Sequence, residues 1–220
     1  MLTGGGEAQH RQPRLTEPIS YEASATPRVL TVLSYVLEKL VARNDELCDG
    51  GGFGKSLTAF HGVRAPAITL DKYVERIYKY TSCSPSCFVV AFVYIDRLVH
   101  RYPDSLVVSL NVHRLLVTSV MVASKVLDDA HYNNAFYARV GGVSNVELNK
   151  LEIELLFLLD FGVSVSSRVF ESYCQHLEKE MLCNGGVERL PAPGTTSVDD
   201  VTEISVEDAQ TSSPPILVDS

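Results

Sequence analysis

An all-α fold is predicted by three features of this 220-residue chain. Apolar side chains recur in several segments at the three- and four-residue spacing of amphipathic helices. Capping residues, prolines and glycines separate these segments at the places where helices begin and end. No segment shows the alternation of apolar and polar residues that is typical of a half-buried strand. Because 45% of the residues are apolar, the chain can also form one core of ordinary size.

The first predicted helix begins at Thr26-Pro27, where a hydroxyl can cap the helix and a proline occupies its first turn. Apolar residues at helical spacing then continue to Val41. A Gly-rich loop is predicted from Asp49 to Pro66.

The second and third helices have similar start signals. Thr69 can cap a helix that continues through Tyr80. Ser84-Pro85 repeats the cap-plus-proline start for a helix that reaches Arg101 and ends at Tyr102-Pro103.

The fourth predicted helix runs from about Ser109 or Asn111 to Asp128 and is apolar on almost every side, as expected of a helix at the centre of a bundle. Lys125 interrupts this apolar sequence. Burial of an unpaired ammonium group costs free energy, so Lys125 must reach solvent or find an acceptor on another element or another molecule.

Three further helices complete the predicted fold. A short one from Asn133 to Val140 is stopped by Gly141-Gly142. The segment Ser144 to Glu147 is a capping box for the next, which runs to about Asp160. The last helix is predicted from Arg168 to Leu182.

The chain is predicted to have one folded domain, residues 26–186, between two disordered ends. Residues 1–25 are rich in Gly, Gln, Pro, Ser and Glu without any period. Residues 187–220 form an acidic tail of similar character. From Asn184 onward, the chain has seven acidic residues and one arginine, which give a net charge of −6 out of the total of −8. The other 183 residues therefore carry about −2, without the basic surface of a nucleic-acid binder.

The expected location is intracellular, in the nucleus, the cytoplasm or both. Five cysteines give an odd number without dense spacing, and the first residues contain no apolar signal-peptide core. The longest apolar run, Cys87 to Ile95, is too short to span a bilayer, so no membrane partner is expected.

Enzymatic chemistry has little support in the sequence. Asp128, Asp129 and His131 resemble the start of a divalent-metal site, but no second carboxylate cluster completes the coordination. The stretch from Gly50 to Ser56 ends like a phosphate-binding loop, but it follows a helix where that motif requires a strand. Cys83 and Cys87 lack a second pair of zinc ligands at suitable spacing. We therefore expect no catalytic residue, metal, cofactor or small-molecule ligand.

Glu152 is the second charge that borders an apolar stripe, with Leu148, Leu155 and Leu156 beside it on the helix surface. Two interpretations of Lys125 and Glu152 remain open from the pattern alone. In the first, the two side chains form an intramolecular salt bridge, or each charged group is solvated by water. In the second, the charged groups bind another molecule.

The order of these segments resembles the cyclin box, a five-helix bundle around a central third helix, here with an extra N-terminal helix. The matching residues are Tyr94-Ile95-Asp96-Arg97-Leu98, Val122-Ala123-Ser124-Lys125, and Leu148 to Glu152 with Leu159-Asp160-Phe161. Within the cyclins, His131 to Asn134 and Tyr137 to Val143 resemble the plant P-type or U-type cyclins, which are similar to the fungal phosphate-regulatory cyclins.

The resemblance implies a partner, a cyclin-dependent serine/threonine kinase. In cyclins, the lysine and glutamate that match Lys125 and Glu152 form a pair that hydrogen-bonds to the kinase backbone beside its αC helix. Asp128, Leu156 and Phe161 match further kinase-contact positions. The chain lacks the Met-Arg-Ala-Ile-Leu substrate-docking sequence of cell-cycle cyclins and an Arg-x-x-Leu destruction motif.

A non-catalytic subunit that binds and activates such a kinase, in cell-cycle or phosphate-responsive control, is the function expected from this resemblance. One alternative is a cyclin-fold transcription factor that contacts DNA or polymerase, which would predict a basic face. The other is a helical enzyme that uses Asp128, Asp129 and His131 with a metal ion.

Overall fold

The computed structural model describes residues 26–48 and 55–184, where all regular secondary structure is helical. The α-helices of this part of the chain are α1 (Arg28–Cys48), α2 (Leu70–Thr81), α3 (Pro85–Arg101), α4 (Val112–Leu127), α5 (Asn134–Gly141), α6 (Asn145–Leu158) and α7 (Ser167–Asn184). The all-α prediction is confirmed. The disorder predicted for residues 1–25 and 187–220 lies outside the described residues.

Helix α4 is the centre of the bundle. Every residue from Leu115 to Ser124 is buried, and the helix packs against α2, α3, α5 and α6. Two buried hydroxyls on α4 bond back to their own helix, since Thr118 Oγ1 donates to Arg114 O at 2.7 Å and Ser124 Oγ donates to Met121 O at 2.9 Å. The five helices α2–α6 thus form the predicted bundle, with α1 and α7 packed together beside it.

The predicted loop from Asp49 to Pro66 contains a short 3-10 helix, Lys55–Phe60, so the prediction of a loop was wrong for these residues. Leu57 and Phe60 lie three residues apart, and three residues make one turn of a 3-10 helix. Both side chains are therefore buried on the same side, against α4 and α6. These two apolar side chains thus attach the 3-10 helix to the bundle.

The predicted helix starts are in place, but the hydroxyls of Thr69 and Ser84 make no capping hydrogen bond to the backbone. Thr69 donates to the carboxylate of Asp71 instead of accepting from the backbone. Ser144 does cap α6, because its Oγ accepts from Glu147 N at 3.1 Å. The return bond of the capping box is replaced by an ion pair of 2.6 Å between Glu147 and Arg114, since a guanidinium is a stronger partner than an amide.

Candidate partner-binding surface

Lys125 and Glu152, predicted from sequence as a charged pair, lie in direct contact. Lys125 occupies the last turn of α4, and Glu152 lies in the middle of α6. Lys125 Nζ donates to Glu152 Oε1 at 2.5 Å, and the two side chains are 28% and 19% exposed. The pair is therefore formed within the chain and remains accessible from outside.

Asn134, the first residue of α5, holds the other carboxylate oxygen. Its Nδ2 donates to Glu152 Oε2 at 2.6 Å and to Asn149 Oδ1 at 2.8 Å. Three helices therefore meet at one carboxylate. This role of Asn134 cannot be predicted from the local sequence pattern, because the contact depends on how α5 packs on α6.

Large apolar side chains are exposed on both helices that carry the ion pair. They are Val126 and Leu127 at the end of α4, with exposures of 47% and 45%, and Ile153 and Phe157 on α6, with exposures of 56% and 64%. Isolated exposed apolar residues are ordinary, but several on the two helices that carry a partly exposed charged pair suit an interaction site. We call these four residues, together with Leu156 and Phe161, the α4–α6 surface.

Leu156 and Phe161 are both predicted contact residues; Leu156 lies in the last turn of α6, and Phe161 lies three residues beyond the end of the helix. Leu156 is half-buried one turn after Glu152, whereas Phe161 is 59% exposed and meets Phe157 edge to face at 5.3 Å. Asp160 and Phe161 have φ angles of 54° and 56°, in the left-handed region, which costs an L-residue about 1–2 kcal/mol. This backbone turn directs the Phe161 side chain outward.

Side chains of α3 hold the connection between α6 and α7, and these contacts maintain the unfavourable backbone turn at Asp160 and Phe161. Arg97 Nη1 donates to Gly162 O at 2.7 Å and to Ser164 O at 3.1 Å. Tyr94 Oη donates to Val163 O at 2.7 Å. Tyr94 and Arg97, which belong to the family motif from Tyr94 to Leu98, thus position the end of the α4–α6 surface.

Asp128, the third predicted charged contact, is bound within the chain. Its Oδ2 accepts from Ser84 N at 3.2 Å and from Cys87 Sγ at 3.3 Å. The hydrogen-bonding contact with Cys83, together with burial, raises the pKa of the Cys87 thiol, which keeps its proton and can donate. Asp128 therefore joins the end of α4 to the start of α3, a structural role that was not predicted.

The residues suggested for a metal enzyme do not form a metal-binding cluster. In the described part of the chain, no three His, Cys, Asp or Glu side chains converge in a way that could hold a metal ion. None of the helices in the described residues has the length and apolarity needed to cross a bilayer.

Comparison with known proteins supports the family suggested by these residues. The cyclin family model matches residues 27–163. Cyclin-U1-1 of Arabidopsis thaliana is 67% identical over 191 residues, which cover 86% of this chain and 90% of that protein. Cyclin-P3-1 of Oryza sativa subsp. japonica is 52% identical over 156 residues, or 71% and 66% of the two chains. Cyclin-U4-1 of Arabidopsis thaliana is 45% identical over 175 residues, or 80% and 87%. The match covers the helices that carry the α4–α6 surface, and the chain belongs to the cyclin family, with the P-type or U-type cyclins of plants as its relatives.

Proposed function

We propose that this chain is the non-catalytic regulatory subunit of a cyclin-dependent serine/threonine kinase, which it binds and activates through the α4–α6 surface. Membership in the cyclin family supports a regulatory role. The single observation that carries the proposal is the Lys125–Glu152 pair, which is partly accessible and lies on two helices that also expose large apolar side chains.

The arrangement of charge and apolar area suits a protein interface. Apolar residues such as Phe157 and Phe161 bury area when a partner binds, which provides affinity. The Lys125 ammonium has three donors and uses one on Glu152, so the other two can bind carbonyl oxygens of the partner. Such polar contacts set the orientation of the two proteins.

The proposed mechanism is allosteric. A kinase is active only when the glutamate of its αC helix pairs with the lysine of strand three and its activation loop is ordered. A cyclin surface that binds αC in this position stabilises the active conformation by its differential affinity for the two states. ATP, magnesium and all catalytic groups belong to the kinase, and the regulated process is cell division or phosphate signalling.

Capture of kinases on this protein, followed by a kinase assay, tests the proposal. Each cyclin-dependent kinase of Arabidopsis thaliana is purified, and its affinity for this chain and its activity are measured with and without this chain. We expect at least one kinase to bind and to gain activity. Tyr80→Ala is the control, because Tyr80 is an aromatic residue on α2 that is 55% exposed and lies outside the α4–α6 surface.

Two results would contradict the proposal. Binding of no kinase in the set would exclude the function. Binding and activation that survive substitution of both Lys125 and Phe161 by alanine would move the interface away from the α4–α6 surface.

A further inference from the structure

The carboxylate of Glu152 has a different partner on each oxygen. Oε1 accepts from Lys125 on α4 at 2.5 Å, and Oε2 accepts from Asn134 on α5 at 2.6 Å. Since Glu152 itself belongs to α6, this carboxylate joins three helices. A carboxylate with a single partner can rotate about its last bond, whereas one that is held at both oxygens has a fixed plane.

The orientation of the Asn134 amide follows from the charge of its partner. A carboxylate paired with lysine is ionised and can only accept hydrogen bonds, so the NH2 group of Asn134 must face it. The second hydrogen of the same NH2 group points to Asn149 Oδ1 at 2.8 Å. Both donors of Asn134 are therefore used on α6, one on Glu152 and one on Asn149.

The backbone around Asn134 is fixed as well. Asn133 caps α5, because its Oδ1 accepts from Phe136 N at 3.0 Å. Asn134 is itself half-buried at the first position of the helix, next to this cap. An amide on a capped helix start is a better support than one on a free loop, since its position varies less.

We propose that Asn134 is a positioning residue that fixes the Glu152 carboxylate, and through it the Lys125 ammonium, in the orientation that a kinase binds. This inference rests on the proposed function and adds a residue to it. With Asn134 present, the ion pair is oriented before the partner arrives, so binding does not have to order it. Without Asn134, Glu152 Oε2 has no partner from α5, and the pair can adopt several geometries.

Asn134→Ala tests the inference, with Asn149→Ala as its matched control. The control removes the other hydrogen bond of the same amide group and leaves the bond to Glu152 intact. We expect Asn134→Ala to weaken the tightest kinase complex about tenfold, as for loss of one hydrogen bond to a charged group. Asn149→Ala is expected to leave affinity within about twofold of the wild type, because such a surface position tolerates substitution.

A double-mutant cycle separates positioning from a structural role. If Asn134 acts through Glu152, Asn134→Ala has no further effect on affinity once Glu152→Ala is present. Thermal unfolding of each variant is measured in parallel. Asn134→Asp provides a second variant of the same shape, and we expect a larger loss of affinity than with alanine, because two carboxylates then face each other.

The outcomes distinguish this inference from the proposed function. Equal affinities of Asn134→Ala and wild type, together with a loss for Lys125→Ala, overturn the positioning role and leave the kinase surface in place. An Asn134→Ala effect that is the same with and without Glu152→Ala also overturns it. Wild-type protein that binds no kinase overturns the proposed function and the inference together.

Discussion

Glu152 follows Lys125 by 27 positions in the chain, yet its Oε1 accepts a hydrogen bond of 2.5 Å from the Lys125 ammonium. The contact joins α4 to α6 at the border of an exposed apolar surface. The two charges are therefore paired in the free chain, and the pair is still partly exposed. An intramolecular salt bridge and a contact with another molecule, the two interpretations of the sequence, are thus compatible.

Lys125→Ala and Glu152→Ala are each expected to weaken kinase binding by about 2–5 kcal/mol, because each change leaves the other charge unpaired when the partner covers it. The free energy of unfolding should fall by only about 1 kcal/mol, since the pair is partly exposed. Affinity and urea unfolding are measured for both single variants and the double variant. We expect the double variant to be less impaired than the sum of the single changes. A large loss of stability with intact affinity would show that the pair is only structural.

Phe161→Ala is expected to weaken kinase binding by about 2 kcal/mol, the usual effect of removing an aromatic interface residue. Phe161 is 59% exposed and its main ring contact is Phe157, so the free energy of unfolding should change by less than about 1 kcal/mol. Tyr80→Ala, on α2, should change neither quantity by more than about 0.5 kcal/mol. Equal affinities for the Phe161 and Tyr80 variants would contradict the assignment.

Asp128→Ala is expected to lower the free energy of unfolding by about 1–3 kcal/mol, because the N–H of Ser84 and the thiol of Cys87 lose their acceptor. The neighbouring Asp129 is exposed, and Asp129→Ala serves as the control. Chemical denaturation of both variants provides the measurement. A kinase-binding defect in Asp128→Ala without loss of stability would instead favour the direct contact implied by the family resemblance.

Gly141 and Gly142 are expected to resist substitution for different reasons. A Cβ on Gly141 would lie 2.9 Å from Val117 Cγ2, so Gly141→Ala should cost about 1–3 kcal/mol through overpacking. Gly142 has open space around it but a φ of 73°, so Gly142→Ala should cost about 1 kcal/mol through backbone strain. Asparagine tolerates this φ better than alanine, and Gly142→Asn should be the milder change. Thermal unfolding that ranks alanine as milder than asparagine at Gly142 would refute this explanation.

His113 is expected to make the protein less stable in mild acid. Burial lowers the pKa of His113 below its ordinary value of 6.5, so the unfolded chain takes up the proton first as the pH falls. Stability is therefore lost as the pH decreases below about 6.5. His113→Gln keeps an N–H that can donate to Ile68 O and removes the titration. Urea unfolding at several pH values should show that acid lowers the free energy of unfolding less in this variant than in the wild type. The same dependence of this free energy on pH in both proteins would contradict the assignment.

The helices were predicted correctly where a local signal defines them. Ser144 is followed by an acidic residue three positions later, and α6 begins at the next residue, Asn145. Pro85 begins α3 as expected. The 3-10 helix at Lys55–Phe60 was missed, because its two large apolar residues, Leu57 and Phe60, make one turn within a Gly-rich segment. A single turn has no repeat from which a period can be recognised.

The helical class, the central position of α4 and the unusual character of Lys125 can all be predicted from the sequence, because each depends on spacing along one helix. Tertiary structure determines three contacts that spacing does not show: the contact of Lys125 with Glu152, the hydrogen bond from Asn134 to Glu152, and the binding of Asp128 to α3. These contacts join residues 18 to 44 positions apart. Spacing shows which side of a helix faces the core, but the depth and rotation at which two helices pack depend on side chains from the whole bundle. Those two quantities determine which polar atoms meet at the α4–α6 surface.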